Sequence, residues 1–316
     1  MYKGYNIAVS IPAYNEELLI PETLEGIPDY VDKIYVVNDA SKDKTLEKIN
    51  ACKSKDPRIE IINHEKNLGL GQSLIDGYVY SKNNPDIDIT AVMAGDNQMH
   101  PDDLALLLDK MIEKELDYVK GNRLLHQNID SMPKHRFFGN AFLTIMTKFA
   151  TGYYSLMDPQ CGYTIIKNSA LRNIPIEKMT KGYGYNADIL CMLNIERFKV
   201  SDQQVRPVYD REKSKIKLYK YVPKTSWLLT KLFFRRLWKR YIVLDFHPLI
   251  LFYLFALLNI VAIIIPFTIR FIYYYFTEGK APQTTLIILI FSILMTFQSI
   301  LFAIWMDMDY NKKFNL

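Results

Sequence analysis

Two stretches near the C-terminus, Leu249 to Thr268 and Thr284 to Met306, carry no charged side chain, and Asn259 and Gln298 are their chief polar interruptions. Each is about twenty residues long, enough for a helix to cross the hydrocarbon core of a bilayer. A fully buried helix of a soluble protein has the same composition. Two such runs joined by the short polar link Thr277 to Gln283 nevertheless read as a transmembrane hairpin. The flanks set its orientation: Lys231, Arg235, Arg236, Lys239 and Arg240 precede the first run and Lys312 and Lys313 follow the second, whereas the link has only Lys280 opposed by Glu278. Basic residues stay on the cytoplasmic side, so both ends of the hairpin and everything before it are expected there. The start of the chain, Tyr2-Lys3-Gly4, leads directly into a strand-like run and does not resemble a signal peptide.

The chain has 316 residues, of which 49% are apolar, leaving room for a sizeable core ahead of the hairpin. We divide it into an α/β domain over residues 1–215, a juxtamembrane interfacial stretch over 216–245, and the hairpin with a short cytoplasmic tail over 246–316. The formal charge of +5 is modest, and its concentration before the hairpin points to anionic lipid head groups and away from nucleic acid. Cys52, Cys161 and Cys191 lack metal spacing and suit a reducing compartment. None of the five histidines has the spacing of a helical zinc pair, and no nucleophile with its base is evident from order alone.

Asn6 to Ile11, Lys33 to Val37, Ile59 to Ile62 and Ile89 to Met93 are too short for helices and are predicted as strands. A helical stretch follows each. Leu18, Leu19, Leu24 and Ile27 make one apolar face, a second helix runs to about Lys53, a third covers Gln72 to Ser81, and Pro101, Asp102 and Asp103 open a fourth. Four strand-helix units in series predict an α/β fold with a mainly parallel, Rossmann-like sheet covered on both faces. Ligands bind such sheets outside the C-terminal ends of the strands.

At that edge the turn after the first strand presents Tyr14 and Glu16, and the turn after the second presents Asp39, placed to accept hydrogen bonds from a base or ribose. After the third strand, Gly69 and Gly71 precede a helix and permit close approach to an anion, although ordinary turns contain such pairs too. In the fourth, Ile89 to Asp103, an apolar run stops at small and acidic residues and delivers Asp96 and Gln98. A carboxylate and an amide oxygen two residues apart suit a hard divalent cation held partly by ligand phosphates. A polar turn is the competing reading, since Asp and Asn favour turns for backbone reasons.

Three motifs, Ser10-Ile11-Pro12-Ala13-Tyr14-Asn15-Glu16-Glu17, Asn38-Asp39-Ala40-Ser41-Lys42-Asp43-Lys44-Thr45 and Asn67-Leu68-Gly69-Leu70-Gly71, resemble in order and spacing the successive signatures of family 2 glycosyltransferases. The resemblance covers roughly the first 215 residues and implies the GT-A fold. It implies nucleotide contacts from Pro12, Tyr14, Glu16 and Asp39, donor contacts in the Asn67 to Gly71 loop, and Mg2+ or Mn2+ on Asp96 and Gln98. With the hairpin, the subgroup resembled is the polyprenyl-phosphate glycosyltransferases typified by dolichyl-phosphate mannose synthase. Two positions depart from the pattern: Ala94 and Asn38 stand where the family commonly has Asp. Metal ligation is thinner than usual, and one carboxylate, one amide oxygen, two donor phosphates and water still complete an octahedron.

After Leu116 a fifth strand is predicted to bring Lys120-Gly121-Asn122-Arg123 to the site, followed by a polar loop and a helix with Arg136, Asn140 and Lys148. Arg123 and Arg136 suit an acceptor phosphate and a pyrophosphate leaving group, because guanidinium binds phosphate oxygens bidentately; surface ion pairing is the alternative. Asp158-Pro159-Gln160-Cys161-Gly162-Tyr163 resembles the family's acceptor-side turn and strand, and Val200 to Val208 reads as an outlying strand. Arg211, Lys213 and Lys215 resemble the subgroup's basic loop before the membrane, where they are expected to meet the acceptor phosphate; a solvated charge run is the plainer reading. Trp227, Leu228, Leu232, Phe233, Leu237 and Trp238 interleave with basic residues as an interfacial helix requires.

The expectation is a membrane-anchored, metal-dependent, inverting transferase moving sugar from a nucleotide-diphosphate donor to polyprenyl phosphate on the cytoplasmic face. Homo-oligomerisation is left open. A processive polysaccharide synthase would need more spans and a Gln-x-x-Arg-Trp signature, and a nucleotidyltransferase a glycine-rich loop where Pro12-Ala13-Tyr14 stands. A non-enzymatic nucleotide-sugar-binding membrane protein, suggested by Ala94, and an enzyme using another lipid-linked acceptor are the remaining alternatives.

Overall fold

The computed structural model describes residues 1–123, 134–182, 184–206, 218–280 and 282–314, with backbone alone for 134–140 and 218–221. The chain forms two compact units, Met1–Arg236 with the last residues from Lys313, and Leu237–Lys312.

The first unit is built on a seven-stranded sheet. Its strands are β1 (Ile7–Ala13), β2 (Lys33–Asn38), β3 (Ile59–Asn63), β4 (Ile89–Val92), β5 (Tyr118–Asn122), β6 (Thr164–Lys167) and β7 (Val200–Gln204), in the order β3-β2-β1-β4-β6-β5-β7. The β1 strand is buried along its whole length and pairs in parallel with β2 on one side and β4 on the other. Burial on both faces accounts for a strand, Ile-Ala-Val-Ser-Ile-Pro-Ala, that is apolar at every position but Ser10. Sequence order runs outward from β1 through β2 to β3 and then jumps to β4, so the switch point of the sheet lies between the C-terminal ends of β1 and β4.

Strand β6 runs antiparallel between β4 and β5, an insertion that breaks the parallel series. Among the described residues eight α-helices accompany these strands: α1 (Ile20–Glu25), α2 (Thr45–Lys53), α3 (Leu70–Asn83), α4 (Asp103–Glu113), α5 (Lys134–Thr151), α6 (Asn168–Asn173), α7 (Tyr185–Ile195) and α8 (Leu218–Trp238). Ile7, Val9 and Ile11 point into the core shared with α1 and α4, while α3 and α7 pack a second core with Val92 and Ile166. Leu18 departs from the expected helix face: it is 84% exposed. The reason is local, because Pro21 fixes the first turn of α1 and the helix starts only at Ile20. Every residue of α7 from Asn186 to Ile195 is buried, and among its polar members Asn186 and Asp188 are buried with hydrogen-bond partners.

In the second unit, helix α9 (Leu249–Asn259) continues through a π-helical turn, Ile260–Ile264, into α10 (Ile265–Glu278). The wide turn precedes Pro266, whose missing N–H and ring crowd a regular α-helix. Gly279 ends the helix in the left-handed conformation with φ 70°, and α11 (Gln283–Asn311) returns. Both helical runs are long and apolar enough to cross a membrane. Their packing is the reverse of a soluble pair: Ser292, Thr296, Ser299 and Ala303 of α11 are buried, while Ile287, Ile290, Phe291, Leu294 and Phe297 face outward. Small residues inside and large apolar ones outside are the pattern of helices packed in lipid. At one end of the pair, Tyr241 donates to Asp307, and the Asn311 amide donates to Asp307 Oδ1 and Tyr241 Oη, each at 2.8 Å.

Candidate active site

The turns leaving β1, β2 and β4 each contain a non-glycine residue in the left-handed region: Asn15 at φ 56°, Ala40 at 55° and Asn97 at 55°. Such backbone costs of order 1 kcal/mol or more per residue and persists where surroundings over-determine it. Here the first two turns are stitched together. Asn15 N–H donates to Ser41 Oγ at 3.0 Å, Lys42 N–H returns to Asn15 Oδ1 at 2.8 Å, and Glu16 N–H reaches Thr45 Oγ1 at 2.8 Å. Pro12 is buried at the end of β1, Glu16 is half-buried, and Tyr14 stays 41% exposed above the crevice. Asn38 uses both halves of its amide, accepting from Ser41 N–H at 3.3 Å and donating to Asn63 Oδ1 at 2.5 Å.

Asp39 is buried and heavily engaged. Its carboxylate accepts the N–H groups of Leu68 at 2.7 Å and Gly69 at 2.8 Å, and lies 2.8 Å from His64 Nδ1. The other ring nitrogen of His64 is 2.9 Å from Asp76. The end of β2 is thereby tied to the loop before α3, with Asn67 exposed at its tip. His64, which no motif singled out, links the carboxylates of Asp39 and Asp76.

Gly71 is required for a different reason from the one its motif suggests. A Cβ there would lie 2.4 Å from the Lys181 carbonyl carbon and 2.5 Å from Thr180 O, and the Gly71 N–H already donates to Lys181 O at 3.0 Å. The close approach it permits is to the chain's own backbone.

Beyond β4 the chain keeps pairing with β1 through Gly95 N–H to Pro12 O, 3.2 Å, which carries Asp96 into the switch-point crevice. Asp96 Oδ1 accepts the Gln98 N–H at 3.2 Å around the left-handed Asn97, so Asp96 and Gln98 share one tight turn, both partly exposed. Among the described residues no group of three or more His, Cys, Asp or Glu side chains forms a metal cage. One carboxylate with one amide fits a hard octahedral ion that keeps water and substrate oxygens, and does not fit a metal bound by protein alone.

Arg123 follows β5. Its Nε donates to Asp158 Oδ2 at 2.8 Å and a terminal nitrogen reaches Oδ1 at 3.3 Å, fixing the guanidinium against a carboxylate that is only 5% exposed. Gln98, Arg123 and Gly162 line one cleft, together with Arg206, which the sequence reading missed. Arg206 is held by buried Asp103 at 2.8 Å. The paired residues lie 103 positions apart, so local sequence carries no signal of the contact. Beneath the cleft Lys120 is fully buried, and burial pushes its ammonium pKa down to about 8. The Arg136 side chain and Arg211, Lys213 and Lys215 lie outside the described residues.

Residues 8–174 match the family described as glycosyl transferase family 2. The chain is 27% identical over 217 residues to UDP-N-acetylglucosamine–dolichyl-phosphate N-acetylglucosaminyltransferase of Methanococcus voltae, covering 64% of this chain and 86% of that protein. It is 27% identical over 183 residues to undecaprenyl-phosphate mannosyltransferase of Micrococcus luteus, covering 57% and 74% of the two chains. Among solved structures, glucosyl-3-phosphoglycerate synthase of Mycobacterium tuberculosis, crystallised with Mn2+, UDP and glucosyl-3-phosphoglycerate, superposes with a TM-score of 0.55 at 17% identity over 74% of this chain and 80% of that one, which shows the shared GT-A-like fold. A switch-point crevice with an Asp-x-Gln turn, and a family match over more than half its length, make this chain a glycosyltransferase belonging to glycosyl transferase family 2.

Proposed function

We propose that the protein transfers a sugar from a nucleotide-diphosphate sugar, such as GDP-mannose or UDP-glucose, to polyprenyl or dolichyl phosphate at the cytoplasmic face of a membrane, in one inverting, metal-dependent displacement. One observation carries the reading: the turn bearing Asp96 and Gln98 shares a cleft with the carboxylate-held guanidinium of Arg123, in a chain that also has two helices with large apolar side chains outward. The first feature suits phosphates and the second suits a lipid. The names of the two relatives both join a sugar to a polyprenyl phosphate, which supports the same acceptor class.

Mg2+ or Mn2+ would be held by Asp96 and Gln98, and when bound it supplies charge neutralisation of the donor diphosphate. Pro12, Tyr14, Glu16, Asp39, Asn67 and Gly71 frame the nucleotide side, Asp39 by fixing the loop that Asn67 tips and Gly71 by letting the 180–181 backbone close on that loop. A lipid monophosphate, with a second pKa of about 6, is already ionised near neutral pH and attacks the anomeric carbon without a general base. Positioning and charge are then the protein's task. Arg123, Arg136, Arg211, Lys213 and Lys215 bind acceptor and leaving-group oxygens. Arg136→Ala and Lys213→Ala are each expected to lose on the order of tenfold to a hundredfold in acceptor kcat/KM, about 1.4 to 2.8 kcal/mol, with nucleotide binding much less affected. Steady-state kinetics with detergent-solubilised polyprenyl phosphate checks this, and wild-type acceptor kinetics in both variants at low and moderate salt would move the acceptor site elsewhere.

The hairpin is expected to have both ends cytoplasmic. Single cysteines at Lys280 and Lys313 should be labelled from opposite sides, the second from the cytoplasm; the reverse result overturns this topology. The reaction itself is tested by a panel of nucleotide sugars assayed for nucleoside diphosphate release. Release with at least one donor, strictly dependent on polyprenyl phosphate, is expected. Release that ignores the lipid, or none with any donor, contradicts the proposal.

A further inference from the structure

A lysine with no exposure to water is unusual, because an ammonium leaves its hydration shell at a cost of several kcal/mol unless partners replace it. Lys120 is such a residue, and its partners are specific. Nζ donates to Cys161 O and, at 2.7 Å, to Asn186 Oδ1; the Asn186 amide in turn donates to Gln160 O at 3.2 Å. Both carbonyls belong to the turn that begins at Asp158, whose carboxylate holds Arg123. One ammonium on β5 thus ties the first turn of α7 to the turn that orients the guanidinium at the site. An apolar side chain at 120 would fill the space and leave both acceptors unpaired, so packing alone does not account for the residue.

We infer that Lys120 is a positioning residue for the transfer reaction, holding the 158–162 turn, and through it the Asp158–Arg123 pair, in its working geometry as a charged donor. The inference rests on the proposed function. The groups facing Lys120 are Asp158 and Cys161 on the turn, Arg123 just beyond its own strand and neutral Asn186 on α7; Thr164 of β6 and Asp202 of β7 are its backbone register partners. Charge-assisted hydrogen bonds are roughly twice as strong as neutral ones. Burial lowers this pKa to about 8, so the turn is expected to loosen as pH rises through that value. Unfolding does not mimic the effect. Between about 8 and the ordinary lysine value of 10.5 the unfolded chain binds this proton and the folded one does not, so the contribution of Lys120 to stability increases with pH.

The test uses the full-length protein in detergent, with the donor that supports transfer and polyprenyl phosphate. Wild-type kcat should fall as pH rises through about 8. Lys120→Met should lower kcat on the order of tenfold or more at pH 7, flatten that limb, and leave nucleotide affinity within about threefold. Asn186→Asp, close to isosteric, sets a carboxylate against the ammonium and should move the limb upward by about one pH unit or more, which keeps the test decisive if the Met variant does not fold. A wild-type profile without the limb, a limb persisting in Lys120→Met, or a limb unmoved in Asn186→Asp overturns the inference while wild-type transfer stands. Absence of wild-type transfer instead overturns the proposed function.

Discussion

Asp96→Asn is expected to reduce sugar transfer on the order of a thousandfold, about 4 kcal/mol in the barrier, and to remove its dependence on added Mg2+ or Mn2+. The turn offers a single carboxylate, with Ala94 where the resembled pattern has a second acid, so the substitution removes all of the charge that the turn would bring to the metal. Asparagine keeps the volume, and the pairing that places the turn, Gly95 N–H to Pro12 O, is made by backbone. The fold is therefore expected to survive, with unchanged thermal unfolding. Gln98→Ala should lose less, because a neutral oxygen is replaced by water at lower electrostatic cost. An Asp96→Asn enzyme with wild-type rate and metal response would remove Asp96 from the metal site.

The largest loss of stability is expected at Asp188. This carboxylate is 3% exposed and accepts three donors: the Thr180 N–H at 2.8 Å, the Thr180 hydroxyl at 2.6 Å, and the Arg235 guanidinium from α8. Asp188→Ala leaves a largely buried cation and a backbone N–H without their acceptor. Breaking a buried pair from one side typically costs about 3–5 kcal/mol; with Arg235 partly exposed, about 3 kcal/mol is expected, a fall in apparent Tm of roughly 6–12 °C. Removing the cation as well, in Asp188→Ala with Arg235→Met, should restore part of the loss, because the unpaired charge is gone. Thr180 and Lys181 close over Gly71 at the start of α3, so the same variant should also raise the donor KM. A single variant that unfolds like wild type would mean that water or another group replaces the carboxylate.

The strands, their order along the chain and the site edge were legible because apolar runs and turn residues are local signals. Ile89 to Met93 ends at the acidic turn as expected, and the strand itself closes at Val92. The helices at 249–278 and 283–311 contain both uncharged runs and extend beyond them, since tyrosine-rich and polar ends remain compatible with helix. Direction was not legible in β6: a four-residue strand, Thr-Ile-Ile-Lys, reads the same either way, and its antiparallel placement follows from where the 158–163 turn delivers it. Nor was the reason for Gly71, which depends on a segment 110 residues away, or the burial of Lys120, whose acceptors lie 41 and 66 residues distant. The engagement of Asp39 with Leu68, Gly69 and His64 is of the same kind. Tertiary proximity, and not residue type, separates a carboxylate waiting for ligand from one that builds the loop around it.

The proposed transfer carries sugar from a nucleotide to a polyprenyl phosphate under control of the Asp96 turn. Its most direct test follows labelled sugar, supplied as the nucleotide donor, into the organic phase with purified full-length protein, polyprenyl phosphate and a divalent metal, in parallel for wild type and Asp96→Asn. Expected is lipid-phase label equal in amount to the nucleoside diphosphate released, abolished by chelator, by omission of the lipid and by the substitution. Label that stays in the aqueous phase as free sugar, or that enters the lipid equally well with Asp96→Asn or in chelator, would contradict it.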